Sequence, residues 1–523
     1  MLDILIQNAT IIDGSGKPSY TGSLGIKDGK LVMSPENGPA KTTIDAAGRV
    51  VCPGFIDAHS HGDRILGTHD NSLFKTAQGI TTELCGNCGS SESPLDPANK
   101  KGFCFGRHDW EEMVKWEKFE GFLQSAEKMK LTSNARFYVG HHNLRKVVMG
   151  MENRPATAKE LDTMKGLLRE SMEAGAAGVS SGLIYAPGCY ASTEELTALA
   201  EVVAPFNGVY ATHMRNESTY LIESVADTIE VGRRAGCRVD ISHHKTVGKP
   251  NWGKTKTTLE MIHKANEEGV MVTCDQYPYD RNMTTLTACI SSKYLAAGMN
   301  YKERLKEPAF RAMLRKEMED PASPYDNYYL NSGGWSGVFI ADATQNPEAN
   351  GLFVSEYAEK LGKDPFETYF DLLKDNARVW TVYCTMREED LFDVIRSPYS
   401  VVGTDGCSHY WKETGHPRSS SAFPHAICYY VKEKNVLTLE QMIHKMTGLP
   451  ADRLAVANKG LLKDGYDADL VIFDYDRLKD TATYVETHKQ PEGIDYVIVN
   501  GEIVYKDMEF TGIYSGKALR HRG

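Results

Sequence analysis

Residues 53–62 read PGFIDAHSHG, an apolar run that ends at Asp57 and is followed by His59 and His61. At a strand's alternation these two imidazoles leave on the same side, which suits two bonds to one cation. Taken alone the pair is a weak signal, because a histidine at a strand end is usually hydrogen-bonded and structural. Its meaning changes when the other strand ends are set beside it. Short β-branched runs end near Asp57, Leu84, Val139, Ser181, Thr212, Ser242, Asp275 and Thr404. Most are followed by helical patterns such as ELTALAEVV, where Leu196, Leu199, Ala200 and Val203 share a face. Eight strands alternating with helices predict an α/β fold, a (β/α)8 barrel, whose C-terminal face gathers the residues that follow each strand. His213 in VYATHM, His243 in VDISHHK and Asp405 in VVGTDG lie at three more of those ends. Imidazoles and a carboxylate gathered on one rim predict a metal site. A ninth run, ARVWTVYCTM at 377–386, is surplus to the eight places.

Outside the barrel the two ends of the chain resemble each other. ILIQNATIID and LGIKDGKLVM near the start, and DLVIFD and YVIVNGEIVY near the end, alternate as strands do. Asp28-Gly29 and Asn500-Gly501 supply the turn residues of tight hairpins. Residues 1–55 and 460–523 are therefore expected to form one small β-sandwich domain, with the barrel spanning 56–459. Residues 281–345 contain no clear βα repeat and read as an insertion over the barrel mouth, a lid.

Composition narrows the partners. Of 523 residues 41% are hydrophobic and 25% charged, the net charge is -11, and no polybasic run offers a footprint for nucleic acid or anionic lipid. A small-molecule substrate is the expectation. MLDILIQNATIIDG has no basic stretch leading into an apolar core, and no window approaches the ~20 apolar residues of a spanning helix. The chain thus reads as cytoplasmic, without membrane association. On that reading the sequons at Asn8, Asn216 and Asn282 carry no meaning, and the eleven cysteines are thiols or metal ligands.

A cation held by histidines needs a negative ligand. In many such barrels a carboxylated lysine on the fourth strand supplies it, but here that strand reads AGAAGVSSGLIY, without lysine. The second strand ends in LCGNCG, and a thiolate is a strong zinc ligand. With PGFIDAHSHGD, GNCG, SSGLIYAPG, ATHMRNE, ISHHK, QYPY, GTDG and HPR, and with the closing MTGLPADRLAVANKGLLKDGYDADLVIFD, the chain resembles the N-acyl-D-amino-acid deacylases of the amidohydrolase superfamily over nearly its whole length. GNCG combined with ISHHK is the more specific part of the match.

The resemblance implies zinc-dependent hydrolysis of N-acyl-D-amino acids to a carboxylate and a free D-amino acid. It implies that Cys88, His213 and His243 hold a tightly bound zinc, with His59 and His61 forming a second, weaker metal position. Asp405 is implied as the general base that takes a proton from metal-activated water and returns it to the departing amine. Tyr185, Lys245, Tyr277 and Arg418 are implied as partners of the substrate's α-carboxylate. Cys85 is left as a small buried hydrophobe. His244, His141 and His142 are candidates for supporting the ligands. Two departures stand out. Met283 occupies the place, six residues after Tyr277, where the family commonly has serine. The segment from Asp405 to Arg418, which includes His409, is about two residues longer than usual.

Three rivals remain open. A cyclic amidase of dihydroorotase or hydantoinase type, or a D-aminoacyl dipeptidase, shares the scaffold. GKPNWGKT at 248–255 satisfies the phosphate-loop pattern GxxxxGK[ST] and points to a nucleotide hydrolase, although Pro250 lacks an N–H for phosphate.

Overall fold

The eight expected runs form eight parallel strands: Phe55–Asp57, Ile80–Cys85, Asn134–Phe137 continuing as Val139–Gly140, Gly178–Gly182, Val209–His213, Arg238–Ile241, Val272–Gln276 and Ser400–Val402. The computed structural model describes residues 1–35, 39–66, 74–96, 114, 116–406 and 415–522. Most of these strands are buried at every position, as helices on the outside and packed side chains inside demand. Neighbours pair in register around the ring, for example Ser181 with Thr212 and Asp275 with Val401. The ring closes where Ala58 N donates to Val402 O at 3.3 Å and Ser60 bridges Gly406. Helices such as Ala158–Ala174, opened by a Thr157/Glu160 capping box, and Leu221–Ala235 follow the strands.

Both ends of the chain contribute to one sheet of nine strands, joined where Val50–Pro53 pairs antiparallel with Leu470–Phe473. Asp28-Gly29 and Asn500-Gly501 all have positive φ, as tight hairpin turns between Lys27 and Lys30 and between Val499 and Glu502 require. Period-two alternation divides the side chains between two cores. Leu470, Ile472 and Ile498 pack with Ile6 and Ile26, while Val471, Phe473 and Val499 pack with Phe423, Ile427 and Met442 from helical segments flanking the barrel. Hydrogen bonding thus runs through one continuous sheet.

The insertion after the seventh strand is longer than the expected 281–345. Its antiparallel sheet consists of Asn282–Thr285, Val379–Tyr383 and Val338–Ala343 in that spatial order, so the surplus ninth run is its central strand. A separate core that includes Leu286, Phe310, Tyr328, Trp335 and Tyr369 holds it together.

Candidate metal centre and substrate cavity

The barrel brings the predicted ligands together in two groups. One donor atom from each of His59, His61, Cys88 and Asp405 lies within 4.8 Å of the others, and the same holds for Cys88, His213 and His243. Cys88 belongs to both groups: its Sγ is 3.3 Å from His59 Nε2 and 3.5 Å from His243 Nε2. Asp405 Oδ1 is 3.2 Å from His61 Nε2 and 3.6 Å from His59 Nε2. The loops that deliver these groups are sharply turned. Cys88, His243 and Asp405 have φ of 52°, 39° and 46°, a left-handed conformation that non-glycine residues rarely hold without support from their surroundings. A Cβ on Gly89 would meet Gly182 N at 2.7 Å, so the turn carrying Cys88 admits only glycine there.

Buried side chains that no motif announced hold the predicted ligands in place. Asp275 on the seventh strand accepts from His243 N at 2.9 Å and lies 2.8 Å from His59 Nδ1, fixing that ring. Lys75, wholly buried, donates to Asp57 Oδ2 at 2.5 Å, Ser60 Oγ at 3.0 Å and Thr404 Oγ1 at 2.9 Å. Glu83 accepts from Ser60 Oγ at 2.7 Å and Ser133 Oγ at 3.0 Å. Asp57, Lys75 and Glu83 therefore brace the residues beside His59, His61 and Asp405 from several strands at once.

A cavity of about 390 Å³ opens over the metal groups, walled on one side by Met283, Thr284, Val379 and Trp380 of the insertion. All four predicted substrate contacts line it. Tyr185 packs edge-on against His213 with its hydroxyl 2.9 Å from Thr284 Oγ1. Tyr277 Oη is buried and, among the described residues, has no hydrogen-bond partner. The Arg418 guanidinium lies over the Tyr277 ring, reaches Asp405 Oδ2 at 2.8 Å and donates to Met283 O at 3.2 Å. Lys245 is engaged by Glu217 Oε1 at 2.7 Å and His243 O at 2.9 Å.

Residues 42–319 and 354–505 match the amidohydrolase family. The chain belongs to that family. A D-aminoacylase of Alcaligenes xylosoxydans xylosoxydans is 33% identical over 519 residues, spanning 99% of this chain and 97% of that protein. Among solved structures, N-acyl-D-glutamate deacylase from Bordetella bronchiseptica, complexed with zinc and a phosphonate mimic of the tetrahedral intermediate, has a TM-score of 0.84 and 31% identity over 99% of both chains. A D-aminoacylase described for its binuclear metal centre, with one-metal activation and second-metal attenuation, has the same TM-score and identity over 99% of this chain and 100% of that one.

The donor set of this amidohydrolase fits zinc. Burial drives His213 and His243 well below the usual histidine range, so both are neutral at pH 7, the form that binds a metal. Neither nitrogen of the buried His213 ring has a hydrogen-bond partner among the described residues, as expected of a side chain whose partner is a cation. Burial raises the Cys88 thiol, opposed by His59, and a cation is what deprotonates such a thiol outright. Burial also works against charge on Asp405, yet Arg418, His61 and His59 outweigh it and hold the carboxyl well below its usual range.

The remaining cysteine and histidines separate. Cys85 is buried with its Sγ 3.9 Å from Glu83 Oε2. His244 bonds Thr258 Oγ1 at 2.8 Å and is pushed down to about 4 by burial. His141 pairs with Glu195 at 2.8 Å, while His142 lines the cavity with its Nε2 2.9 Å from Gly182 O. His409 lies outside the described residues. The phosphate-loop reading of GKPNWGKT fails on geometry: Gly253 N donates to both oxygens of Asp390 at 3.0 Å, and Lys254 is spent on Ser218 O, Thr219 O and Asn251 Oδ1. A carboxylate already occupies the place a phosphate needs. Among the described residues no helix is long and apolar enough to cross a membrane.

Proposed function

We propose that this amidohydrolase is a zinc-dependent deacylase that cleaves N-acyl-D-amino acids to a carboxylate and a free D-amino acid. The observation that carries the reading is Cys88 shared between two donor groups beneath a cavity that also presents Asp405, Tyr277 and Arg418. Likeness to D-aminoacylase and to a zinc-containing N-acyl-D-glutamate deacylase over almost the whole chain supports the substrate class.

Cys88, His213 and His243 form the thiolate-bearing metal position, and His59 and His61 with Asp405 and the same Cys88 form the second. When bound, zinc acidifies water to near neutral pH and polarises the acyl carbonyl. Asp405 Oδ1, the oxygen facing His61 and His59, takes the proton of the attacking water. The same carboxyl returns it to the amide nitrogen as the C–N bond breaks, because an amine leaves only once protonated. Arg418 keeps Asp405 ionised through Oδ2. A guanidinium has five N–H donors, enough to serve the substrate's α-carboxylate as well. Tyr277 Oη supplies a second donor for that carboxylate. Tyr185 shapes the wall over His213, and Lys245 contributes positive charge from its seat on Glu217.

Hydrolysis of a panel of N-acetyl-D- and N-acetyl-L-amino acids, with zinc content measured alongside, tests the reading. Turnover of D substrates with zinc bound supports it. Turnover of L substrates alone, or of dihydropyrimidine rings alone, overturns it.

A further inference from the structure

His142 follows the third strand and is buried in a slot made by three glycines. A Cβ on Gly89, Gly182 or Gly188 would meet its ring at 2.8, 3.2 or 2.4 Å, so glycine at these places is what lets the loops after the second and fourth strands close on the imidazole. Gly89 O accepts from His142 N at 2.8 Å, which ties the backbones of two of these loops together. A ring so enclosed has little freedom to turn.

The hydrogen bonds of that ring have one direction. His142 Nε2 lies 2.9 Å from Gly182 O, and a carbonyl oxygen only accepts, so Nε2 carries the proton. Burial pushes the imidazole down to about 3, with His141 and Lys146 adding to the fall, so it is neutral at pH 7 and its Nδ1 is bare. Nδ1 lies 3.3 Å from Ser90 Oγ, and a bare ring nitrogen only accepts. The hydroxyl proton of Ser90 is therefore committed to His142. Ser90 is half-buried and lines the cavity two residues from Cys88, where its oxygen has only lone pairs left to offer.

We propose that Ser90 binds the substrate by accepting the N–H of the scissile amide, with His142 as the residue that positions it. Arg418, Lys245 and Tyr277 are donors, suited to the substrate's carboxylate, and none of them serves an N–H. Asp405 is the one carboxylate among the described residues that line the cavity, and it is engaged by Arg418 and by the attacking water. The fourth and eighth strands lie across the ring of eight from each other, so the chain Ser90–His142–Gly182 reaches the cavity from the side opposite Asp405. An N–H held on that side leaves the nitrogen's lone pair, once the acyl carbon turns tetrahedral, toward the carboxyl that must protonate it. The inference rests on the deacylase reading above.

The test compares an N-acyl-D-amino acid with the matching O-acyl-D-2-hydroxy acid, an ester in which oxygen replaces the amide nitrogen and no N–H exists. Ser90→Ala is expected to lower kcat/KM on the amide about 3- to 10-fold and to leave the ester within about twofold of the parent. His142→Leu, which frees the Ser90 hydroxyl to turn, should shift the amide-to-ester ratio the same way. A ratio in Ser90→Ala within about twofold of the parent's, whether both rates fall or neither does, overturns the proposal. A ratio that moves with Ser90→Ala but not with His142→Leu overturns the part given to His142. If Ser90→Ala does not fold, or the parent does not turn over the ester, a crystal structure of the parent with a phosphonamidate analogue that keeps the N–H decides. Ser90 Oγ at hydrogen-bond distance from that nitrogen supports the proposal, and any other partner for the N–H overturns it. A parent that cleaves neither substrate refutes the deacylase reading itself, which is a separate outcome.

Discussion

The two donor groups that share Cys88 are supported in different ways. His59, His61 and Asp405 rest on the barrel wall, where Lys75, Asp57 and Glu83 link residues from the first, second and eighth strands. His213 and His243 face a single carboxylate, Glu217, whose backbone is tied to the insertion through Asp326. The barrel's own closure therefore sets one position. The other shares Asp275 of the seventh strand, which accepts from His243 N and meets His59 Nδ1, and depends besides on loops and on a segment that the barrel architecture does not require. Burial raises Asp326 to about 6, with Glu217 adding to the rise, so even the tether on that side lies in a strained electrostatic setting.

Removing the shared ligand should erase the difference between the two positions. Cys88→Ala is expected to lose zinc and activity together, the largest effect of any single change; metal analysis and turnover on one sample check it, and survival of both breaks the assignment. Asp405→Asn separates chemistry from metal retention at the thiolate position. It should lower kcat by roughly 10²- to 10⁴-fold while the zinc held by Cys88, His213 and His243 remains. Lys75→Met acts on the barrel-side position alone, weakening its metal by about 10- to 100-fold in titrations and sparing the thiolate position. Equal weakening of both positions would show that the two supports are not independent.

The smallest effect on turnover is expected at Glu195, which pairs with Arg145 at 2.7 Å and lies outside both groups. Burial opposes its charge, but His141 and Arg145 prevail and hold the carboxyl at about 2. The folded value is below the unfolded one of about 4.5, so the pair contributes stability above pH 4.5 and loses it as pH falls toward 2. Glu195→Gln should leave activity unchanged near pH 7 and lower stability by on the order of 3 kcal/mol. Its deficit against the parent in thermal melts should narrow between pH 4.5 and pH 2.

Much of the candidate metal centre was legible because its donor groups sit at strand ends, where an apolar run stops at a histidine, cysteine or aspartate. The supports were not. Lys75 falls within SLFKTAQG, which reads as an ordinary helical turn, and Asp57 looks like a turn residue. Their meaning lies in convergence on Thr404, more than three hundred positions away. Glu217 stood in the quoted ATHMRNE without a role, since nothing in spacing shows that its oxygens face His213 and His243. The insertion's length was misjudged for a related reason. VWTVY has the composition of a barrel strand, and only its antiparallel pairing with Asn282–Thr285 and Val338–Ala343 removes it from the ring.

The left-handed backbone at Cys88, His243 and Asp405 closes one route to making this protein more thermostable. Replacement guided by backbone preference alone would choose glycine at all three positions, relieving roughly 1–3 kcal/mol each. Every such gain would delete a sulfur, an imidazole or a carboxylate. A thermostable variant must therefore find its added stability elsewhere, in the terminal sheet or the insertion's core, and carry these three turns unchanged.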